Sequence, residues 1–285
     1  MSFAKRQISV RFQLGQGAFG DTGMKIVNVS GLRAHAHIIK AGAETLGECQ
    51  LSVFGLKQSI MNELSALANY DMVVRQNTVI VSAGDEGAAG LATVFEGTIA
   101  EGWADLNSAP DTRLQVVAYA GMLQKLKPVP PTSYPGSADA AVIMQTIAGT
   151  MGLQFENNGV SVMLSTPYLT GTAWEQARSC AEAAGINWTI DNGTLAIWNN
   201  PGHRSGQPPL VSAATGMVGY PAYTGVGIGV KTLFNPLISP GGTVAVQSSI
   251  GSACGTWYVT DVSYDLQSET PGGAWFTNFN GRVLR

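Results

Sequence analysis

The sequence contains unusually little charge. Only 12% of its 285 residues are Asp, Glu, Lys or Arg, half of the roughly 25% that is typical of soluble domains. The net charge is −3 and neither sign forms a long run, which excludes the basic stripe of a general nucleic-acid-binding protein. So few charges favour a protein whose exterior is partly covered by other protein chains. The alternative is a monomer with a surface rich in Ser, Thr, Asn and Gln.

Long hydrophobic runs and paired cysteines are also missing. No apolar run approaches the ~18 residues that span a bilayer, and the basic N-terminal residues are not followed by the hydrophobic segment of a secretory signal. We therefore expect no integral membrane segment. Cys49, Cys180 and Cys254 are odd in number and widely spaced, which indicates neither a disulfide framework nor a zinc site and favours a reducing compartment.

The glycine-rich loop at residues 15–20 matches G-x-G-x-x-G through Gly15, Gly17 and Gly20. A kinase would also need catalytic H-R-D and D-F-G motifs, and a P-loop would need Gly-Lys-[Ser/Thr]; the chain has none of them. A dinucleotide fold needs a helix after the third glycine, whereas residues 21–29 have the pattern of a turn and a strand. We therefore expect these glycines to serve a hairpin or bulge beside the first strand.

Other candidate sites are equally weak. His35 and His37 would share one face of a strand, but no third ligand is nearby and Arg33 would repel a cation, so we interpret them as exposed strand residues. Acidic residues are scattered, and no spacing selects a catalytic pair among them: Asp71, Asp85, Glu86, Glu96, Glu101 and Asp105. Ser248, Ser249 and Ser252 lie in turns without a histidine partner. We assign no catalytic, cofactor-binding or metal-binding residue, and no interface residue.

Five tryptophans leave two interpretations open: Trp174, Trp188, Trp198, Trp257 and Trp275. Together they would suit a sugar-binding platform. On alternating strands such side chains are more often part of the core, and we favour that interpretation.

Residues 7–127 alternate as many short strands, which is typical of an antiparallel barrel or sandwich. Within them, Ile60, Leu64 and Leu67 stand at helical spacing and predict one short helix in residues 57–70. Residues 125–137 contain four prolines and are the best candidate for a linker.

Residues 138–199 change character and contain a unit that is repeated after 33 residues. The first copy predicts a helix with Ser137 as N-cap and Gly152 at its C-terminal end, then a hairpin at Asn158-Gly159. The second copy predicts a helix with a Thr172–Glu175 capping box, ending at Gly185, then a hairpin at Asn192-Gly193. We interpret the segment as a duplicated helix-plus-hairpin module; the alternative is that such units recur by chance.

Residues 210–285 return to strand patterns, and their sequence resembles that of a known family. Residues 172–198 resemble the middle module of the baseplate hub proteins of tailed bacteriophages. The C-terminal part resembles the second tube-like domain of that family through four motifs: Gly216–Pro221, Leu233–Pro236, Gly241-Gly242 and Pro271–Trp275.

The resemblance implies a mainly β fold with an α+β insert, in which two tail-tube-like antiparallel β-barrel domains flank a helix-plus-hairpin module. The expected divisions are a first barrel domain at 1–127, the module at 128–206 and a second β domain at 207–285. It also implies a non-enzymatic structural protein of the phage tail, without a cofactor. Three copies would form a pseudo-hexameric homotrimeric ring that adapts a six-fold tail tube to a three-fold spike.

The partners implied in this way are the spike, the tail tube and other baseplate proteins, and DNA would only pass through an axial channel. The location implied is the baseplate of the virion, after assembly in the host cytoplasm. The alternatives are a tail-tube or tube-terminating protein and, less favoured, a tail-tip cell-wall hydrolase; the tryptophans leave a carbohydrate-binding module as a further one.

Overall fold

The computed structural model describes residues 5–20, 22–42, 45–65, 75–86 and 90–284. Its strands are β1 Arg6–Gln13, β2 Ile26–Val29, β3 Ala34–Ala41, β4 Glu48–Phe54, β5 Thr78–Asp85, β6 Ala92–Asp105, β7 Arg113–Tyr119, β8 Thr132–Ser133, β9 Ser137–Asp139, β10 Gln154–Asn158, β11 Met163–Ser165, β12 Tyr168–Leu169, β13 Ile186–Asp191, β14 Thr194–Asn199, β15 Leu210–Val211, β16 Ala222–Thr224, β17 Gly227–Leu233, β18 Thr243–Val246, β19 Gly255–Ser268 and β20 Trp275–Val283. Its helices are α1 Gln58–Leu64, α2 Met122–Leu126, α3 Ala140–Met151 and α4 Ala173–Ala184, with short 3-10 turns at Ala213–Thr215 and Gly251–Ala253. Strands hold 47% of the described residues and helices 16%, which confirms the predicted mainly β fold.

The chain divides into two compact units, the first made of Met1–Ile39, Gly47–Ala120 and Ser263–Thr277. Its antiparallel sheet runs in the order β3-β4-β7-β6-β5-β1-β2. Side chains alternate between buried and exposed along these strands, as a sheet with one core-facing surface requires. Within the described residues β2 pairs with β1 alone, so the sheet ends there and is open rather than closed into the predicted barrel.

The glycine-rich loop connects β1 to β2 as a hairpin, as predicted. The Leu14 N–H donates to the Lys25 carbonyl at 2.9 Å, and a strand rather than a helix follows. The Gly15 N–H donates to the Asn77 side chain at 3.1 Å, and a Cβ at Gly15 would lie 2.2 Å from the carbonyl oxygen of Arg75. Gly15 therefore serves a close backbone approach. The predicted helix in residues 57–70 is confirmed as α1, while Leu67 lies outside the described residues.

The second unit comprises Lys40–Leu46, Gly121–Val262 and Asn278–Arg285. Its larger sheet has the order β16-β17-β20-β19, with β18 paired to β19 and β15 paired to β18. Its smaller sheet has the order β10-β14-β13 and packs with α3 and α4 around one apolar core. That core contains Trp174 and Trp188, whose ring centroids are 4.7 Å apart.

Both helices of this core end as predicted, but one begins later. Gly152 and Gly185 have φ values of 71° and 64° and terminate α3 and α4 in the left-handed conformation that favours glycine. The Thr172–Glu175 capping box of α4 is present in both directions. The predicted N-cap at Ser137 is wrong: Ser137 lies in β9, and the Asp139 carboxylate accepts the N–H of Ala141 instead.

The duplication holds for the helix and the strand that follows it, but not for both hairpins. The turn at Asn192-Gly193 joins β13 to β14 as predicted. The hairpin at Asn158-Gly159 is wrong, because β10 pairs in parallel with β14 and β11 pairs with β9. The Asn157 side chain bonds both the N–H and the carbonyl of Val160, and these bonds turn the chain away from β10.

The proline-rich segment is not a free linker. The Val129 N–H donates to the Gly171 carbonyl at 3.5 Å, and β8 pairs with β12. The buried Gln176 side chain of α4 donates to the Pro130 carbonyl at 3.0 Å and accepts from the Thr132 hydroxyl at 2.7 Å. Proline lacks the N–H of a regular ladder, but its carbonyl still binds here, so the segment is docked against α4.

Candidate assembly interface

The outer edge of the larger sheet in the second unit is built from two segments on one side of β17. Near the β17 C-terminus, the Val218 N–H donates to the Lys231 carbonyl and the Leu233 N–H donates to the Gly216 carbonyl, each at 2.8 Å. At the other end, β16 pairs with β17, with Ala222 opposite Gly229. The motif at 216–221, which carried part of the family resemblance, therefore lies at a sheet edge.

Between these segments, the chain leaves the ladder at Gly219, Tyr220 and Pro221. Gly219 has a φ of 74°, a conformation that costs glycine little. The Tyr220 side chain is 70% exposed, whereas Pro221 is buried. A proline suits an edge because it has no N–H to leave unpaired.

Exposed apolar side chains follow this edge, and we call them the edge surface: Val218, Tyr220, Tyr223, Val226 and Leu233. Val226 is 77% exposed at the tip of the two-residue turn between β16 and β17. The only ionisable charge in residues 216–233 is that of Lys231. An exposed edge surface this apolar is typical of a surface that another protein covers.

Behind the edge, β17 and β20 approach so closely that glycine is required. A Cβ at Gly227 would lie 1.9 Å from the carbonyl oxygen of Gly281, and a Cβ at Gly281 would lie 3.0 Å from the Cβ of Trp257. A side chain at Gly227 therefore has no room beside β20, and one at Gly281 would press against Trp257 of β19.

A cavity of about 540 Å³ lies beside the tip of that turn. Its wall includes Val226, Val283 and Leu284, and the Arg282 guanidinium lies over the Tyr258 ring at 4.4 Å from the ring centroid. The cavity therefore combines apolar side chains with a cation stacked on an aromatic ring, and it adjoins Val226 of the edge surface.

Elsewhere in the second unit, two cations and two carboxylates form a buried cluster of ion pairs. The Lys40 Nζ lies 2.6 Å from the Asp191 Oδ1 and donates to the Asn192 Oδ1 at 2.9 Å. Arg204 donates to both carboxylate oxygens of Glu156, at 2.7 and 3.0 Å, and its Nη1 lies 3.4 Å from the Asp191 Oδ2. The Lys40 and Asp191 side chains are 8% and 9% exposed.

The cluster favours the ionised forms of its two carboxyl groups. Burial raises the pKa of Asp191, but Lys40 and Arg204 more than offset this, and the pKa lies below its ordinary value. The hydrogen bonds from Arg204 hold the pKa of Glu156 below its ordinary value, against the opposing effect of burial. The cluster thus joins β3, β10, β13 and the 200–206 segment by charge. We interpret it as structural, because each charge already has a partner within the chain.

A second cavity of about 400 Å³ adjoins this cluster and is lined by Glu156, Asn158, Arg204 and Thr243 among others. The Asn158 side chain accepts the N–H of Ser205 at 2.7 Å and donates to Glu156 at 2.8 Å. The polar wall is therefore already engaged in internal hydrogen bonds.

His35 and His37, which the sequence predicted to be exposed strand residues, are half-buried, and each lies within hydrogen-bonding distance of another side chain. His35 is 3.1 Å from the Thr270 hydroxyl and His37 is 2.6 Å from the Asp265 carboxylate. Burial, Arg33 and Arg113 lower the pKa of His35, so the protonated form of its imidazole is disfavoured. Among the described residues, no three His, Cys, Asp or Glu side chains come together as a metal site.

The other residues that the sequence analysis considered for a catalytic or binding site do not form one site among the described residues. Asp71 lies outside the described residues, and Asp105 pairs with Arg113 at 3.1 Å. The Ser248 N–H and carbonyl bond the Cys254 thiol. All five tryptophans considered above are buried, which supports their interpretation as core residues over a sugar platform. The sequence analysis did not predict the edge surface. Its one sequence signal is that residues 216–229 are rich in glycine and contain no charged side chain.

Solved structures with a similar fold include phage tail proteins. A tail protein of Neisseria meningitidis MC58 has a TM-score of 0.63 at 10% identity, with 97% of this chain and 96% of that chain covered. The 43 kDa tail protein of prophage MuSo2 from Shewanella oneidensis has a TM-score of 0.54 at 10% identity, with 96% and 98% covered. The c3393 protein of E. coli, a type VI secretion component described as similar to the phage T4 tail proteins gp27 and gp5, has a TM-score of 0.57 at 11% identity, with 89% and 73% covered.

The fold is thus that of phage tail proteins and of related type VI secretion proteins. The family model described as baseplate hub gp41 matches residues 7–272, and the chain belongs to that family. No curated protein sequence matches significantly. No helix among the described residues is long and apolar enough to cross a membrane.

Proposed function

We propose that this baseplate hub protein assembles as a homotrimeric, pseudo-hexameric ring in the virion, where it adapts the six-fold tail tube to the three-fold spike. The observation that carries the proposal is an apolar sheet edge, the edge surface, on a chain of the hub family. Each copy would contribute two tube-like β domains, at 1–127 and 207–285, around the module at 128–206. Assembly would take place in the host cytoplasm.

The physical case for assembly is that the edge surface is costly to leave in water. Tyr220, Tyr223 and Val226 are each more than 60% exposed, and burying apolar area contributes about 25 cal/mol per Å². Open strand edges also present unpaired backbone groups to any second strand. A partner that covers this edge satisfies both requirements.

An axial channel for DNA is part of the proposal. The chain has a net charge of −3 and no long basic run, so a channel lined by it would hold DNA weakly, because phosphate attraction depends on clustered cations. The proposed role is passage of DNA without sequence-specific binding. The protein partners proposed are the spike, the tail tube and other baseplate components.

Oligomer mass separates this function from its alternative. We expect purified protein, at the concentration where it assembles, to have about three times the 29.8 kDa mass of one chain in mass photometry, and a three-fold ring in electron micrographs. Six copies per ring would favour a tail-tube or tube-terminating protein. A monomer at every concentration and in assembled particles would contradict the proposal, and clearing of a peptidoglycan zymogram would favour a hydrolase.

A further inference from the structure

A lysine amine, a side-chain amide and a carboxylate meet inside the second unit. The Lys40 Nζ donates to the Asn192 Oδ1 at 2.9 Å and lies 2.6 Å from the Asp191 Oδ1. Lys40 and Asn192 are 152 positions apart in the chain, so the fold brings the amine to the amide. We call Lys40, Asp191 and Asn192 the amine–amide site.

Strand pairing holds both sides of the amine–amide site in place. Asp191 pairs with Thr194 at the end of the β13–β14 hairpin, and Asn192 occupies the two-residue turn with a φ of 47°. Lys40 takes a buried position in the alternating pattern of β3. Groups that a fold holds within about 3–3.5 Å of each other, in a suitable orientation, react as though they were highly concentrated.

The surroundings favour a reaction between amine and amide. The Lys40 and Asp191 side chains are 8% and 9% exposed, so little water competes for the amine. A lysine becomes a nucleophile when an adjacent base takes its proton. Asp191 is that base, because its Oδ1 faces the Lys40 amine while Arg204 lies 3.4 Å from its Oδ2.

We propose that Lys40 and Asn192 join in an intramolecular amide bond, with Asp191 as the group that carries the proton. Asp191 accepts a proton from the Lys40 ammonium, and the neutral amine attacks the side-chain carbonyl carbon of Asn192. The new bond from Nζ to this carbon forms as the bond from the carbon to the amide nitrogen breaks. The leaving nitrogen takes the proton from Asp191 and one more from the attacking amine and departs as ammonium, so nothing is oxidised or reduced.

The ion pair is the resting state of the site. Burial raises the pKa of Asp191, but Lys40 and Arg204 outweigh this and hold it below its ordinary value. Its carboxylate is therefore a weak base, and we expect a slow reaction in the folded protein. The bond lies within one chain, so it goes beyond the proposed ring and does not depend on it.

Peptide mapping of the full chain tests the bond. Purified protein is kept folded for days at about pH 9, where more of a lysine amine is neutral than at pH 7, and samples are then denatured and digested with trypsin. We expect a branched peptide that joins residues 34–57 to residues 179–204, lighter than the two together by one ammonia molecule. Protein that stays folded throughout and yields no branched peptide overturns the proposal.

A competing reaction has the same change in mass. An asparagine followed by glycine can cyclise onto the next backbone nitrogen with loss of ammonia, both at Asn192-Gly193 and at Asn158-Gly159. Lys40→Arg keeps the positive charge beside Asp191 and should abolish the branched peptide without preventing this cyclisation. A loss of ammonia without a branched peptide is cyclisation alone and counts against the bond.

Two further variants test the residues assigned to the reaction. Asp191→Asn should slow formation of the branched peptide at least about a hundredfold, as general acid–base catalysis contributes about 10²–10⁴-fold. Glu156→Gln removes the other carboxylate of the ion-pair cluster, which does not contact the amine in the contacts given above, and controls for lost stability: it should still form the bond. Both are assayed where circular dichroism shows them folded. Equal rates for Asp191→Asn and Glu156→Gln, or a branch at Asp191 with loss of water, would overturn the assignment.

Discussion

Replacing Asp191 with asparagine removes a carboxylate that contacts both Lys40 and Arg204. Arg204 keeps its two hydrogen bonds to Glu156, and Lys40 keeps its hydrogen bond to the Asn192 side chain. The Lys40 side chain is 8% exposed, so water replaces the lost charge poorly. The variant therefore removes the carboxylate that lies 2.6 Å from a buried cation.

The expected cost follows from that geometry. Removing one partner of a buried ion pair costs about 3–5 kcal/mol, and we expect the lower end because the asparagine oxygen still accepts a hydrogen bond. A loss of about 3 kcal/mol lowers the Tm by about 6–12 °C in a domain of ~150–250 residues. Differential scanning calorimetry and urea unfolding, followed by the fluorescence of the buried tryptophans, measure this change.

A surface pair provides the matched control. Arg178 and Glu182 form an i,i+4 pair on α4 at 3.1 Å with both side chains more than half exposed. Glu182→Gln should therefore cost only about 0.3–0.5 kcal/mol. If Asp191→Asn unfolds within about 1 kcal/mol of the wild-type protein, the cluster does not stabilise the second unit as argued.

The pH dependence has a definite sign. The folded-state pKa values of Asp191 and Glu156 lie below their ordinary values. Their stabilisation is therefore complete above the unfolded carboxyl pKa of about 4 and is lost as the pH falls through the folded values. We expect the free energy of unfolding of the wild-type protein to fall steeply below about pH 4, and that of Asp191→Asn to fall less steeply.

Three other changes have defined outcomes. Thiol reagents should label exposed Cys254 rapidly and leave Cys180 unlabelled until denaturant is added, because burial raises the pKa of Cys180 to about 12; rapid labelling of both would contradict this burial. Gly227→Ala should cost about 2–3 kcal/mol through overpacking against β20, whereas Gly225→Ala, with open space at its Cβ, should change urea unfolding by less than about 0.5 kcal/mol. Thr172→Ala should cost about 1 kcal/mol by removing the α4 capping box; an unchanged thermal midpoint would show that the box does not stabilise the helix.

Local signals predicted local structure well. The alternation of residues 7–14, the left-handed caps at Gly152 and Gly185, and the turn at Asn192-Gly193 each depend on neighbouring residues alone. The turn at Asn158-Gly159 failed because a parallel partner strand, β14, competes with the hairpin for β10. No local pattern reports such a partner, since it lies about forty positions away.

The position of the candidate interface depends on sheet order, which no local motif in the sequence reports. Sheet order decides that residues 216–224 lie at an edge. The buried pair of Lys40 and Asp191 joins residues separated by 151 positions. The glycine-rich loop has the most familiar motif in the chain, yet it forms a hairpin. Glycines allow tight turns and close backbone approaches in hairpins as well as in nucleotide sites, so the motif alone does not distinguish the two.

An image of the assembled protein by electron cryomicroscopy, at a resolution that shows side chains, tests the central claim most directly. The account predicts a ring of three copies around an open axial channel, with the edge surface of each copy covered by its neighbour. A six-fold ring, or a particle that contains the protein as a monomer with the edge surface in solvent, would contradict it.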